Sequence, residues 1–193
     1  MPANQALLNS SDKDLGSGGV VVIPNEKMLI IGGKEGVVYA LNRDRMKPSM
    51  QSFKLAGGLY ASPSYWNGHL FFLATNDHLK DYAVTNGRLS DEPVKTGTMQ
   101  FPNPGANPVV SANGTRDGIV WLLETKVWNA FNTEKPSVLR AFDAANIARE
   151  LYNSEQSGAR DRAGMTTRFT IPTIAQGRVY VPAKREVTVY GLR

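Results

Sequence analysis

The 193-residue chain contains no cysteine. That absence excludes disulfide frameworks, thiolate zinc sites and a cysteine nucleophile, and it leaves the redox compartment open. Histidine is nearly as scarce, with two residues, so imidazole chemistry can come only from His69 or His78. No apolar run approaches the roughly 20 residues of a membrane span, and none is expected. Met1 to Ser11 lacks a basic stretch followed by an apolar core, so no signal peptide is read there. Like charges never gather into runs of five or six. The net charge is +5, from 22 Lys+Arg against 17 Asp+Glu, but the one local concentration is Arg160, Asp161 and Arg162 with Arg168 nearby. No basic groove for nucleic acid follows from that scatter. Phosphate-binding loops and the G-x-S-x-G and H-x-x-x-H patterns are also missing. Gly16-Ser17-Gly18-Gly19 leads into a strand, so no helix N-terminus is available there to cradle phosphate.

What is present is a globular composition, 41% hydrophobic and 20% charged, arranged as a repeat. Four segments share one layout: an apolar strand, a turn, a second strand, a polar turn, and a third strand ending in a small residue. The first copy runs through 19–23, 28–31 and 37–42. The second runs through 62–66, 69–73 and 79–85, the third through 108–111, 119–123 and 138–143, and the fourth through 170–174, 179–182 and 187–192. The closing small residues are Ala40, Ala83, Ala141 and Gly191, at intervals of 43, 58 and 50 residues, which suits a four-stranded propeller blade with loop insertions. Val, Ile, Tyr, Phe and Trp dominate the strands, and Asn67-Gly68, Asn113-Gly114 and Gln176-Gly177 stand where a tight hairpin needs positive φ. Weaker fourth strands are read at 51–54, 94–96 and 150–153, as polar outer edges should be. The expected fold is all-β: one β-propeller domain over 1–193 with about four blades, at 12–55, 56–98, 101–155 and 165–193. Residues 5–9 are the candidate fourth strand of the last blade, which would close a four-bladed ring. The other arrangement is half of a larger propeller completed by a second copy, a homodimer.

The third-strand endings resemble the repeat of the pyrroloquinoline-quinone-like (quinoprotein) β-propellers, A-x-D-x-x-T-G-x-x-x-W. Ala141-Phe142-Asp143-Ala144-Ala145-Asn146, followed by Leu151-Tyr152, is the nearest match; Ala83-Val84-Thr85-Asn86-Gly87 and Ala40-Leu41-Asn42-Arg43-Asp44 are degenerate versions. The stretch from Asp14 to Gly19 and the tail from Gly177 to Leu192 are similar to the C-terminal blades of such proteins. The resemblance covers the chain from about Asp12 and implies a periplasmic or secreted parent. It also implies departures. The blade-locking Trp is Tyr152 in one copy and missing from the others. The vicinal disulfide of many active members is impossible, and no Trp holds an assignable stacking position, so bound quinone (PQQ) is not expected. Members without the cofactor serve as scaffolds for partners.

In a propeller the connections from fourth to first strands and from second to third gather on one face around the axis. Here they carry Asp14, Ser17, Tyr60, Ser62, Asn103, Asn107, Arg160, Arg162 and Arg168, with Lys34, Glu35, Asn76, Asp77, His78, Glu124, Lys184 and Glu186. Asp14, Asn76, Asp77 and Glu124 are the candidate ligands for a hard cation, Ca2+. Such an ion could polarise a lactone or ester carbonyl, with His78 or Asp77 as general base. Against this, Asn76-Asp77-His78 also reads as an ordinary tight turn. Arg160, Arg162, Arg168 and Tyr60 are the candidate substrate-binding residues, since a guanidinium grips a carboxylate or phosphate bidentately; an inter-blade clamp of Arg160 and Arg162 on Asp161 is the competing reading. The insertion from Glu124 to Ser137, with Trp128 and Phe131, is either a lid or rim packing. His69 reads as a surface residue. The leading functional expectation is a binding scaffold for a small molecule or protein at the axial loop face. A calcium-assisted lactonase or esterase comes second and a PQQ-dependent dehydrogenase third.

Overall fold

The computed structural model describes residues 3–46, 49–125 and 135–191. Within them the strands form four antiparallel sheets that follow one another along the chain. The first holds β1 (Val20–Ile23), β2 (Met28–Gly32), β3 (Val37–Asn42) and β4 (Ser49–Lys54). The second holds β5 (Ser64–Trp66), β6 (His69–Phe72) and β7 (Asp77–Thr85), and its fourth position is shared by β8 (Arg88–Leu89) and β9 (Lys95–Phe101), both paired with β7. The third holds β10 (Val109–Asn113), β11 (Arg116–Glu124), β12 (Val138–Asp143) and β13 (Asn146–Asn153). The fourth holds β14 (Thr173–Ala175), β15 (Arg178–Ala183) and β16 (Glu186–Gly191). These are the four repeats, each a blade whose strands pair in sequence order.

Two of the three hairpins turn where left-handed backbone was expected; in the third only Gly114 has positive φ, because Asn113 still pairs with Arg116 and the turn is Gly114-Thr115. Asn67 and Gly68 have φ of 48° and 80°, and Gln176 and Gly177 have 50° and 71°, as type I′ turns require.

Two expectations need correction. Residues 5–9 form no strand: Gln5–Ser10 is a short helix, α1, held by bonds such as Leu8 N to Asn4 O at 3.1 Å. Gln, Ala and Leu favour helix and the segment has no β-branched residue. The helix is tied to the first sheet through Asn4 Nδ2, which donates to Glu35 Oε1 at 2.8 Å. No hydrogen bond among the described residues joins β14–β16 to β1–β4. The second correction concerns the turn at 75–78. It ends at Asn76, and Asp77 and His78 already belong to β7. Trp128 and Phe131 lie outside the described residues.

The core is three seams, each between consecutive sheets. Because strand side chains alternate between faces, a blade inside the array must be apolar on both. Phe71 and Phe72 show this within one strand. Phe72 joins Ile30, Val38, Leu59 and Tyr82 in the first seam, and Phe71 joins Leu79, Phe101, Leu122 and Ile147 in the second. Leu123, Leu139, Val179 and Val181 form the third seam, edged by Trp121, Tyr152, Ile174 and Tyr190. Phe71→Ala and Phe72→Ala should therefore each cost about 3–5 kcal/mol, measured by urea unfolding. A much smaller cost at either position would mean that its seam is not packed.

Candidate functional site

The connections that gather on the axial face bring together Tyr60, Gly105, Asn107, Thr125, Phe169 and Thr170 around a small hollow. Hydrogen bonds between connections hold this face in place. Ser62 N donates to Asn107 Oδ1 at 2.8 Å, Thr75 Oγ1 to Asn103 Oδ1 at 2.7 Å, and Asn103 N to Asn76 Oδ1 at 3.1 Å. Asn76 thus fills a turn, with φ of 53°, and its amide oxygen is committed to the neighbouring connection. Tyr60 lines the hollow, Arg168 lies over the Phe169 ring at 5.7 Å, and Arg162 is exposed.

The candidate carboxylates are drawn into separate ion pairs. Asp77 is buried in β7, where its Oδ2 accepts from Lys80 Nζ at 2.6 Å and its Oδ1 from the His78 backbone at 2.8 Å. His78, the next residue along the strand, belongs to the opposite face. Asp14 pairs with Lys34 at 2.7 Å, and Lys34 also meets Asp12 at 3.0 Å. Hydrogen bonds donated by Lys34 to those two carboxylates raise its pKa, Asp14 first. Glu124 is buried against Arg140, with Nε to Oε2 at 2.7 Å, and Arg140 reaches Glu150 at the same distance. Burial opposes charge on Arg140, but hydrogen bonds to Glu150 and Glu124 outweigh it and its pKa rises.

Arg160 grips Asp161 through two contacts, at 2.6 and 2.8 Å, and also reaches Ser157. Asp161 in turn accepts from the Tyr152 hydroxyl on Oδ2 and from the Tyr190 hydroxyl on its backbone oxygen, both at 3.0 Å. The Arg160 hydrogen bond holds the Asp161 carboxyl well below the usual carboxylate range. Burial, then the bond to Asp161, pushes the Tyr152 phenol up. This knot links β13 of the third blade to β16 of the fourth, so Arg160 sits in an inter-blade clamp.

No three His, Asp or Glu side chains among the described residues converge as metal ligands. The axial hollow has room for about one water molecule, at ≈ 10 Å³. Trp66 is engaged away from it, with Nε1 donating to Gly114 O at 2.9 Å, and Trp121 edges the third seam with Nε1 bonded to Ser111 Oγ at 2.8 Å.

Sequence reasoning missed a second constellation on the opposite face, where the β5–β6, β10–β11 and β12–β13 turns lie. His69 Nδ1 stands 2.8 and 3.0 Å from the two oxygens of Asp81, which is 0% exposed. Far from a simple surface residue, His69 is the cap on a buried carboxylate. Burial raises the Asp81 pKa, and the His69 hydrogen bond partly counters it. The pair borders a groove of about 610 Å³ between the second and third blades, lined also by Trp66, Lys95, Asp117 and Arg149. An imidazole fixed through Nδ1 leaves Nε2 to hydrogen-bond with whatever enters. The only signal in the sequence was the spacing that puts His69 and Asp81 on adjacent strands, and that spacing has no fixed motif.

No protein-family model matches the sequence, and no curated protein matches it either. Solved structures do. BamB from Moraxella catarrhalis, a propeller of PQQ-like repeats, superposes with a TM-score of 0.55 at 17% identity, covering 86% of this chain and 46% of that one. The β-propeller domain of Cps50 (Swd1) from Myceliophteria thermophila superposes at 0.56 with 12% identity, over 100% of this chain and 56% of its own. The computationally designed Ika4 protein superposes at 0.54 with 10% identity, over 88% of both chains. The fold is therefore that of a β-propeller, and the chain spans about half the length of the two natural proteins.

Two outcomes are expected from these contacts. Arg140→Met should cost about 3–5 kcal/mol, because Glu124 then stays buried without its countercharge, as urea unfolding at neutral pH will read. Asp81 has a raised folded-state pKa, so its contribution to stability is whole below its ordinary value of 3.8 and is lost as pH rises through the folded value. The stability difference between wild type and Asp81→Asn should accordingly shift against wild type as pH rises from that value. Parallel curves would contradict the burial argument.

Proposed function

We propose that this chain is a quinoprotein-like β-propeller segment acting as a binding scaffold without bound quinone, for a protein or small-molecule partner at its axial loop face. One observation carries the reading. Each carboxylate with a candidate chemical role, Asp14, Asp77 or Glu124, is already paired with a lysine or arginine. The axial connections also expose apolar and cationic side chains: Met165, Phe169 and Ile171 are exposed, as is Arg162, with Arg168 and Tyr60 half-buried nearby. Such a mixture suits contact with a partner surface, where aromatic residues, Met and Arg are enriched.

The calcium-assisted hydrolase makes the opposite demand on the same residues. Asp14, Asn76, Asp77 and Glu124 would have to abandon their present partners and converge, with His78 as base. The experiment is calorimetric titration with Ca2+ alongside a panel of lactones and aryl esters, on wild type and His78→Ala. On the scaffold reading no stoichiometric calcium isotherm and no turnover appear, and His78→Ala changes stability by no more than about 0.5 kcal/mol. Calcium-dependent ester cleavage that disappears in His78→Ala would overturn it in favour of the hydrolase.

A further inference from the structure

The four blades leave an apolar face partly exposed at each end of the array, although Leu29 within the first of them is buried. On the first blade, the face turned away from the second carries two cross-strand rows, Val22–Leu29–Leu41 and Val20–Ile31–Tyr39. Val20 and Val22 are 54% and 50% exposed. On the fourth blade, the face turned away from the third carries Tyr180 opposite Val189 and Pro182 opposite Val187. Val187 and Val189 are 59% and 49% exposed. Were the fourth blade packed on the first within one chain, those four valines would be covered.

The two faces are not alike, and each repeats a half of a seam already present. The fourth blade meets the third through the row Ile174–Val179–Tyr190, and in the first blade the corresponding row is Val22–Leu29–Leu41. The third blade meets the fourth through Trp121 opposite Ala141 and Leu123 opposite Leu139. In the fourth blade the corresponding pairs are Tyr180 with Val189 and Pro182 with Val187. The chain thus presents the receiving half of a seam at one end and the inserting half at the other. A contact between unlike faces repeats the rotation that relates one blade to the next.

We propose that a second copy of this chain docks head to tail on the first, its fourth blade on the partner's first and the reverse, closing a twofold ring of eight blades. The twofold arrangement contains the seam twice, so both end faces of each chain are buried by one partner. The chain also spans 46% and 56% of the two natural propellers it superposes on, so two copies supply a ring of their size. This assembly is independent of the scaffold reading, because it concerns the end faces rather than the axial loops.

The absence of cysteine from the chain makes the test direct. Val22→Cys and Val187→Cys are prepared as single variants and as one doubly substituted chain, at exposed positions that leave the fold intact by circular dichroism. Wild type should run at twice the chain mass by native mass spectrometry and sedimentation equilibrium. Under mild oxidation the two single variants, mixed, should cross-link to each other, while each alone should give little covalent dimer. The doubly substituted chain should link between chains. A wild-type monomer would overturn the proposal. So would a disulfide within the doubly substituted chain, which marks a one-chain four-bladed ring, or efficient cross-linking of Val187→Cys to itself, which marks a like-to-like dimer.

Discussion

The structure depends on one packing constraint: a blade inside the array must be apolar on both faces, because each of those faces packs on a neighbouring blade. A single four-stranded sheet with two apolar faces has no stable existence in water, because burial of that surface is what offsets the chain entropy lost on folding. The strict alternation of strand side chains converts this into a sequence rule. Adjacent residues such as Phe71 and Phe72 must both be large and apolar because they serve different neighbours. The same rule explains why polar residues are pushed to strand ends, turns and the outermost strands, where β9 and β13 alternate exposed positions with occasional buried ones.

Charge then has to be disposed of at the margins of those apolar seams. The chain does so with local pairs. Lys80 folds back on Asp77 within one strand, Arg140 bridges Glu124 and Glu150 across the third blade, and Arg160 with Asp161 fastens Tyr152 to Tyr190 across a seam. A carboxylate buried in this way is more costly to strip of its partner than to leave paired. The residue types that suggest a metal centre in the sequence are therefore the ones the fold needs to hold its blades in register. Spacing along the chain cannot distinguish the two uses, since both place acids next to connections.

Much of the fold was legible because the repeat carries it. Small residues at the ends of third strands, hairpin turns of the Asn-Gly type and the alternation of Val, Ile and Phe are local signals, and they mark the successive strands. Val138–Asp143 is a strand over the very residues the repeat indicates. Residues 5–9 went astray because a lone segment outside the repeat has only its own propensity, and Gln, Ala and Leu decide for helix. The site was legible only as a collection of residues. Which partner each takes depends on strand register and on side chains tens of positions away, as with Arg140 and Glu124. The His69–Asp81 pair is the clearest case. Its buried carboxylate sits in a strand that reads as an ordinary polar-apolar alternation, and only the neighbouring strand turns it into a fixed hydrogen-bonded unit.

The two broad faces of the array differ in kind, and the difference follows from how the connections are made. Hairpins between first and second strands are short, as at Asn67-Gly68 and Gly114-Thr115, so their face is set largely by the strands themselves. A groove there, with His69, Trp66 and Lys95 around it, is as rigid as the blades that border it. Gly118 makes the same point, since a Cβ at that position would lie 2.6 Å from the Trp66 ring of the next blade. The axial face instead includes longer connections, such as 55–63 and 102–108, held by hydrogen bonds between them, Ser62 to Asn107 among these. Surfaces of that kind accept sequence change without loss of the seams beneath. In this chain the seams account for stability, and the connections are the part free to vary toward a partner.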